Sequence, residues 1–233
     1  MNGGQFILYV FFGPETRYLR DGSGININHS GPSFAQQYLT FKRIDPSPLT
    51  LWEFIEPLSL VRHTSVLIPS SAYAMVFLLC AVMITVEIPS LFIPKFDFNP
   101  KQLGLQFLGI IIGNVIGEQL GGASSDYWMN RPSRRSNGAR PEPEYRLWLS
   151  YFGFLLAIVG VIVFLVQTEL APQGSWNVTP IVGTAIASCG NQIITTVLVT
   201  YAVDCHPKRA ASVGVFVTFV RQIWGFIGPF WYV

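Results

Sequence analysis

The chain has 233 residues, of which 50% are hydrophobic and only 12% are charged. A soluble domain carries about 25% charged residues, so this composition argues against an ordinary soluble protein. The formal net charge of +2 gives no indication of a nucleic-acid partner. The three cysteines, Cys80, Cys189 and Cys205, lack the paired spacing of a zinc site or a disulfide framework, so we expect neither a metal nor another cofactor.

The N-terminal residues contain a short apolar run, Phe6–Phe12. No basic residue precedes this run and no small-residue cleavage site follows it, as a signal peptide would require. Residues 1–12 are therefore predicted to be the end of a membrane helix.

Residues 13–71 are predicted to form a central cytoplasmic loop. Asp21–Gln37 is rich in Gly, Ser and Asn, which is typical of a flexible linker. Leu49–Val66 has an amphipathic pattern, broken at Pro57, that suits a helix lying on the membrane surface. A plain solvated loop is the alternative for this second segment.

The rest of the chain, residues 72–233, contains long apolar runs. A helix that crosses the hydrocarbon layer needs about 20 mostly apolar residues. Five segments meet this requirement, and we number them spans 1 to 5 in chain order: Ala72–Phe92, Leu103–Trp128, Leu147–Val166, Thr179–Val203 and Ala210–Trp231.

The basic residues predict the orientation of these spans. With residues 13–71 inside, twelve Lys and Arg residues lie on the cytoplasmic side and only Lys95 and Lys101 lie outside. This agrees with the positive-inside rule. The remaining basic residue, Arg221, falls within span 5.

Span 2 contains a glycine at every fourth position: Gly109, Gly113, Gly117 and Gly121. This spacing keeps all four near one helix face, where a neighbouring helix backbone can approach closely. The stripe predicts tight helix contact, which serves either sliding helices or static packing.

The predicted cytoplasmic end of span 2 combines small, acidic and basic residues. Gly121 and Gly122 suggest a tight turn, and Asp126 can cap a helix or pair with a basic residue. The basic residues that follow are Arg131, Arg134 and Arg135. The stretch is predicted to be a short clamp between helices.

This stretch resembles the G-x-x-x-D-(R/K)-x-G-R-(K/R) loop motif of major facilitator superfamily transporters, in the copy that joins helices eight and nine. Gly122 and Asp126 match the motif, whereas Tyr127 replaces the usual basic residue and no glycine precedes the arginine pair. Three further stretches are similar to the fungal drug:proton antiporter-like members: Pro14–Tyr18, Pro141–Leu147 and Tyr201–Ala210.

The resemblance implies an all-α membrane protein that corresponds to the C-terminal half of a major facilitator fold. Residues 1–12 would be the end of helix six, and residues 72–233 would supply helices seven to eleven of the C-terminal six-helix bundle. The family's substrate cavity lies between two halves near the bilayer midplane, so this chain would form one wall of it. The implied partners are the lipid bilayer, a small-molecule substrate and protons, and the implied location is the plasma membrane.

Polar residues inside membrane spans are costly and usually face the bundle interior or a water-filled cavity. The candidates for the cavity are Asn114, Asn191, Gln192, Arg221 and Gln222, and hydrogen bonding between helices is the alternative role. Arg221 requires a partner, for which Glu118, Glu87 or the carbonyl groups of Asn191 and Gln192 are available in this chain. Acids in the other half of the transporter and an anionic group of the substrate are further alternatives. Glu87 itself lies toward the outer end of span 1, as an interfacial residue would.

The sequence therefore predicts a secondary-active transporter of small organic molecules, with proton-coupled export as the leaning of the family. The alternative is a truncated or mispredicted gene product without transport activity of its own. A membrane enzyme is disfavoured because the three histidines lie outside the predicted spans and no intramembrane Asp pair is present. A fragment of a seven-helix receptor is disfavoured by the long loop before span 1.

Overall fold

The computed structural model describes residues 51–135 and 142–231, without the side chains of residues 51–54 and 130–135. The chain divides into two units, residues 1–51 and 52–233, and the description below concerns the second, with its first helix beginning at the boundary. The predicted helix end at residues 1–12, the linker Asp21–Gln37 and the stretch Pro14–Tyr18 lie outside the described residues.

The described residues form helices and contain no strand. The α-helices are α1 (Leu51–Ser59), α2 (Thr64–Phe77), α3 (Ile84–Phe96), α4 (Pro100–Gln106), α5 (Leu108–Arg135), α6 (Leu147–Leu170), α7 (Thr179–Cys205) and α8 (Ala210–Ile227). A π-helical segment, Leu78–Met83, joins α2 to α3. Short 3₁₀ turns cover Leu60–Arg62, Pro143–Arg146, Pro207–Arg209 and Gly228–Trp231.

Five helical segments are long and apolar enough to span a membrane, which confirms the five predicted spans. Their bounds are Thr64–Phe96, Pro100–Met129, Pro143–Leu170, Thr179–Cys205 and Pro207–Trp231. Each is longer than its predicted apolar core, because a helix that has nucleated gains one backbone hydrogen bond for each residue added. Polar residues beyond the apolar run therefore stay helical.

Span 1 contains prolines that do not end it. Pro69, Pro89 and Pro94 all lie within its helices. The span stops at Asp97, which adopts the left-handed conformation with φ 52°. Span 2 begins two residues later with a capping box, in which Asn99 and Gln102 accept hydrogen bonds from each other's backbone N–H groups.

The predicted break at Pro57 is wrong. Pro57 lies inside α1, and the helix continues to Ser59 before tightening into the 3₁₀ turn. His63, in an extended conformation, separates this turn from α2. The missing N–H of a proline removes one hydrogen bond but does not by itself end a short helix that is packed on one side.

The predicted turn at Gly121 and Gly122 is also wrong, because α5 runs without interruption to Arg135. A Cβ on Gly121 would lie 3.2 Å from the Ile193 Cα, so close packing against span 4 accounts for the small residue there. Gly122 has no atom near its added Cβ. The motif stretch therefore belongs to the end of a helix.

Span 4 lies between spans 2 and 3 and is the most buried span, at 61% of its apolar window against 22–39% for the others. On one side it meets the glycine stripe of span 2. A Cβ added to Gly117 would lie 2.6 Å from the Cys189 carbonyl oxygen, and one added to Gly113 would collide with the Ala185 carbonyl. These are contacts with backbone atoms, so the two helix backbones approach closely along this face.

On its other side, span 4 packs on span 3 through a second set of small residues. A Cβ on Gly190 would lie 2.5 Å from the Ala157 backbone nitrogen, and one on Gly183 would lie 2.5 Å from the Phe164 backbone nitrogen. Gly160 in turn lies directly against Ala187. Small residues on both faces thus allow span 4 to occupy the centre of the bundle.

Candidate functional site

Two polar side chains join spans 2 and 4 at the edge of their contact, where Glu118 is exposed and Gln192 is half-buried. The Gln192 side-chain amide donates a hydrogen bond to a carboxylate oxygen of Glu118. Asn114 lies one helical turn before Glu118 and is half-buried. The predicted candidates Asn114 and Gln192 therefore lie on the two spans that the glycine stripe brings together.

Asn191, next to Gln192, is 7% exposed, and its side-chain Oδ1 has no hydrogen-bond partner among the described residues. An unpaired buried carbonyl group is costly, because it has lost its hydrogen bonds to water. Asn191 therefore carries a buried acceptor that no described residue satisfies.

Arg221 contacts span 1 instead of the residues that the sequence suggested as partners. Its Nη1 donates to the Tyr73 hydroxyl oxygen at 3.2 Å, and its guanidinium carbon lies 4.9 Å from the centre of the Phe77 ring. Glu118 is bonded to Gln192, and Glu87 accepts a hydrogen bond from the Ser90 hydroxyl at 3.0 Å. None of the candidate partners within this chain contacts Arg221 among the described residues, because span 5 packs on span 1.

The structure does not show the remaining predicted site residues in contact with Glu118, Gln192 or Arg221. Gln222 follows Arg221 on span 5 and is exposed. Asp126 is exposed on α5, and the side chains of Arg131, Arg134 and Arg135 lie outside the described part of the chain. The predicted clamp made by these residues stays a prediction.

Other residues connect the spans at the predicted cytoplasmic end. Arg146 Nη2 lies 3.3 Å from Asp204 Oδ2, which links the start of span 3 to the end of span 4. The Trp128 and Tyr145 rings stack with centroids 5.8 Å apart, which links the end of span 2 to the start of span 3. Arg146 and Asp204 belong to two of the stretches that carry the family resemblance, but the sequence did not show that they pair.

A histidine pair lies at the same end of the bundle. The His63 and His206 ring centroids are 4.8 Å apart, and His206 Nε2 is 3.1 Å from the Ser65 hydroxyl oxygen. Arg209 pairs with Glu56 of α1 at 3.3 Å. Burial, followed by the neighbouring His63 and Arg209, lowers the pKa of His206 below its ordinary value.

Two partly open apolar pockets among the described residues do not contain the polar candidates. One of about 600 Å³ lies between spans 2 and 4 toward their predicted outer ends, with Gln106, Ile112 and Trp176 among its lining residues. A smaller one of about 230 Å³ lies between spans 1 and 3. The described part of the chain contains no group of three or more His, Cys, Asp or Glu side chains that could hold a metal ion.

Sequence reasoning missed Tyr73 and Phe77, the two residues that hold Arg221. Both lie in or beside the apolar part of span 1, where an aromatic residue is usually packing material. Their spacing of four residues, which places them on one helix face, is the signal that could have identified them.

The chain is similar to fungal membrane transporters. It is 29% identical over 184 residues to the MFS-type transporter penM of Penicillium rubens, a match that covers 79% of the chain and 35% of that protein. It is 31% identical over 177 residues to the MFS-type transporter hepF of Aspergillus oryzae, a match that covers 73% of the chain and 36% of hepF. It is 28% identical over 146 residues to the probable drug/proton antiporter YHK8 of Saccharomyces cerevisiae, a match that covers 62% of the chain and 27% of YHK8.

The chain spans about a third of the length of these curated relatives. No family model matches it, and no solved structure matches it. The similarity to several transporters of one superfamily agrees with the five membrane-spanning helices of the structure. The chain is thus an integral membrane protein homologous to part of the fungal major facilitator superfamily transporters.

Proposed function

We propose that the chain is the C-terminal part of a secondary-active transporter that exports small organic molecules by alternating access, coupled to protons. On this proposal, residues 1–12 end helix six, residues 13–71 form the central cytoplasmic loop, and residues 72–233 form the C-terminal bundle in the plasma membrane. The names of the relatives, which include efflux pumps and a probable drug/proton antiporter, support the proposal.

The observation that carries the proposal is the polar pair of Glu118 and Gln192 within two membrane spans. An ionisable residue inside a span is expensive and marks an ion or substrate pathway. Gln192 holds the Glu118 carboxylate by a hydrogen bond, and carboxylates within spans serve as proton relays in pumps and transporters. The pair thus provides a group through which proton binding could alter the contact between spans 2 and 4.

The close contact of spans 2 and 4 supports the alternating-access part of the proposal. Small residues let the two helix backbones approach closely, and on this proposal span 2 shifts against span 4 along this face. The buried Asn191 carbonyl group and the half-buried Asn114 offer hydrogen-bonding groups for a substrate. We assign these residues, with Gln192, Arg221 and Gln222, to the wall of the cavity.

The test is transport by the complete gene product in a yeast strain that lacks its main drug pumps. Cells loaded with rhodamine 6G should lose the dye faster with the protein than without it, and a protonophore should abolish the difference. Glu118→Gln should remove the dependence on the proton gradient, whereas Glu118→Asp should retain part of it.

Expression of the 233-residue chain alone, beside the complete gene product, shows whether this chain has transport activity of its own. Export by the complete gene product, with or without export by the chain alone, supports transport as the function. No export of rhodamine 6G or of a panel of neutral and anionic dyes by the complete product, despite normal surface expression, would contradict it. Export that is insensitive to the protonophore would contradict the proton coupling.

A further inference from the structure

Arg221, Tyr73 and Phe77, which we name the Arg221 site, form a cationic group inside the membrane-spanning bundle. Arg221 lies about 21 Å along span 5 from its first residue at 1.5 Å per residue, well within the span. Tyr73 is 4% exposed. The site thus places a guanidinium group at a depth where charged groups are rare and are usually functional.

The hydrogen bonds of this guanidinium are incomplete. Arginine carries five N–H donors, and one of them is donated to Tyr73. The Nε atom is buried without a hydrogen-bond partner, and no acidic side chain among the described residues forms an ion pair with Arg221. The Phe77 ring stabilises the positive charge but accepts no ordinary hydrogen bond.

The unused N–H donors of Arg221 suit one class of ligand, a carboxylate. The guanidinium presents its donors as a planar fork that matches both oxygens of a carboxylate. The Tyr73 hydroxyl oxygen accepts from Arg221, which leaves its own hydrogen free to donate. A carboxylate bound here would receive charge-assisted hydrogen bonds from Arg221 and a further one from Tyr73.

The surroundings of the site favour an organic anion over an inorganic one. A Cβ on Gly225, one turn after Arg221, would meet only carbon atoms, with Phe77 at 3.6 Å and Val82 at 3.8 Å. The Phe77 ring and the Val82 side chain offer apolar contact next to the charge of Arg221. We propose that the Arg221 site binds the carboxylate of a small organic acid with an apolar body, an inference that rests on the proposed transport function for its biological meaning.

The experiment measures binding of 1-naphthoate and of its neutral analogue 1-naphthamide to the complete protein in nanodiscs by calorimetry. In the parent protein, we expect 1-naphthoate to bind roughly tenfold or more tightly than 1-naphthamide, as a hydrogen-bonded charge should. Arg221→Gln should reduce this preference to less than about twofold. Lys208→Gln, which removes a cation at an exposed position near the start of the same span, is the matched control and should keep the preference.

Two milder variants keep the test valid if Arg221→Gln does not fold. Tyr73→Phe removes only the hydroxyl group and should weaken 1-naphthoate binding several-fold without affecting 1-naphthamide. Arg221→Lys keeps the charge but loses the fork, and should retain only part of the preference. Equal binding of the two probes by the parent, as expected if an acidic residue elsewhere in the complete protein neutralises Arg221, would overturn the inference.

The dye-export assay distinguishes this inference from the proposed function. Export of rhodamine 6G without any preference for 1-naphthoate would overturn the Arg221 site and leave the transport proposal standing. Preferential binding of 1-naphthoate that depends on Arg221, in a protein that exports none of the dyes, would support the site and contradict the transport proposal.

Discussion

Lys95 illustrates how a single side chain stabilises the predicted outer end of the bundle. Its Nζ donates to the Thr168 carbonyl oxygen at 2.6 Å and to the Glu169 carbonyl oxygen at 2.8 Å. The last carbonyl groups of a helix have no partner within the helix and carry partial negative charge. The ammonium group of span 1 therefore satisfies the end of span 3 and holds the two spans together.

His206 predicts a dependence of stability on pH. Its pKa is lowered in the folded protein by burial and then by His63 and Arg209, while Ser65 contacts its ring and Glu56 pairs with Arg209. The unfolded chain then binds a proton at a higher pH than the folded protein does. The free energy of unfolding therefore keeps its full value above the ordinary histidine pKa of about 6.5. It decreases as the pH falls from there toward the lower pKa of His206 in the folded protein.

The measurement is the melting temperature of the purified protein at a series of pH values between about 5 and 8, the range in which histidine titrates. His206→Gln keeps a group that can hydrogen-bond to Ser65 but removes the titration, so its melting temperature should vary less over this range. His63→Gln should reduce this variation by no more than His206→Gln does, because it removes only one of the neighbours that lower the pKa of His206. An unchanged pH profile in His206→Gln would contradict the assignment.

At the scale of helices, the two faces of span 4 differ in how their partners could be recognised. The stripe on span 2 repeats every four residues and is visible in the sequence. The span 3 face is made by Gly153 and Gly160, seven residues apart, which meet Gly190 and Gly183 with the same spacing. A spacing of seven also keeps residues on one helix face, but two glycines in a long apolar run are easily missed.

Gly113 and Gly122 provide a matched pair for testing the packing of spans 2 and 4. A Cβ on Gly113 would collide with the Ala185 backbone, whereas one on Gly122 would meet nothing within 4 Å. We expect Gly113→Ala to destabilise the protein by about 1–3 kcal/mol, as overpacking does. Gly122→Ala should be neutral or stabilising by up to about 1 kcal/mol, because alanine favours the helix.

Thermal unfolding of both variants in detergent, followed by scattering and fluorescence, checks this prediction. The two substitutions add the same methyl group to the same helix, so the difference between them reports the contact with span 4. Equal melting temperatures for Gly113→Ala and Gly122→Ala would show that the stripe does not pack as described.

The ion pair of Arg146 and Asp204 predicts a measurable coupling between spans 3 and 4. The Arg146 side chain is 13% exposed and the Asp204 side chain is 39% exposed. For a pair with one partner this accessible, we expect a coupling energy of about 0.5–1 kcal/mol in a double-mutant cycle of Arg146→Gln and Asp204→Asn. The more exposed pair of Arg209 and Glu56 is the control and should couple more weakly.

At the scale of the whole molecule, the placement of basic residues predicts one orientation in the membrane. Twelve Lys and Arg residues fall on one side and two on the other. The glycine contacts place span 4 parallel to span 2 and antiparallel to span 3, as consecutive spans require. The predicted cytoplasmic side therefore includes the ends at which Arg146, Asp204 and His206 lie.

Cysteine labelling with a membrane-impermeant reagent in intact cells tests this orientation. In a background with Cys80, Cys189 and Cys205 replaced, Asn99→Cys should react and Ser133→Cys should react only after the membrane is permeabilised. The positions lie at opposite ends of span 2, so each serves as the control for the other. The reverse pattern would mean that the whole assignment of inside and outside is inverted.

The sequence by itself determined the number, order and approximate length of the spans. Each span depends on a continuous apolar run long enough to cross the hydrocarbon layer, which is a local property of the chain. The predicted ends of the spans were less accurate, since α5 continues through Gly121 and Gly122 to Arg135. Glycine is used both for turns and for close helix contact, and only the neighbouring backbone of Ile193 distinguishes the two uses.

The tertiary structure decided which residues meet across the spans. The position of Arg221 showed that it needs a partner, but Tyr73 and Phe77 are nearly 150 residues earlier and are chosen by the packing of span 5 on span 1. The same holds for Gln192 with Glu118 and for Arg146 with Asp204. A periodic pattern identifies the face of a helix, whereas the partner of that face depends on the arrangement of the whole bundle.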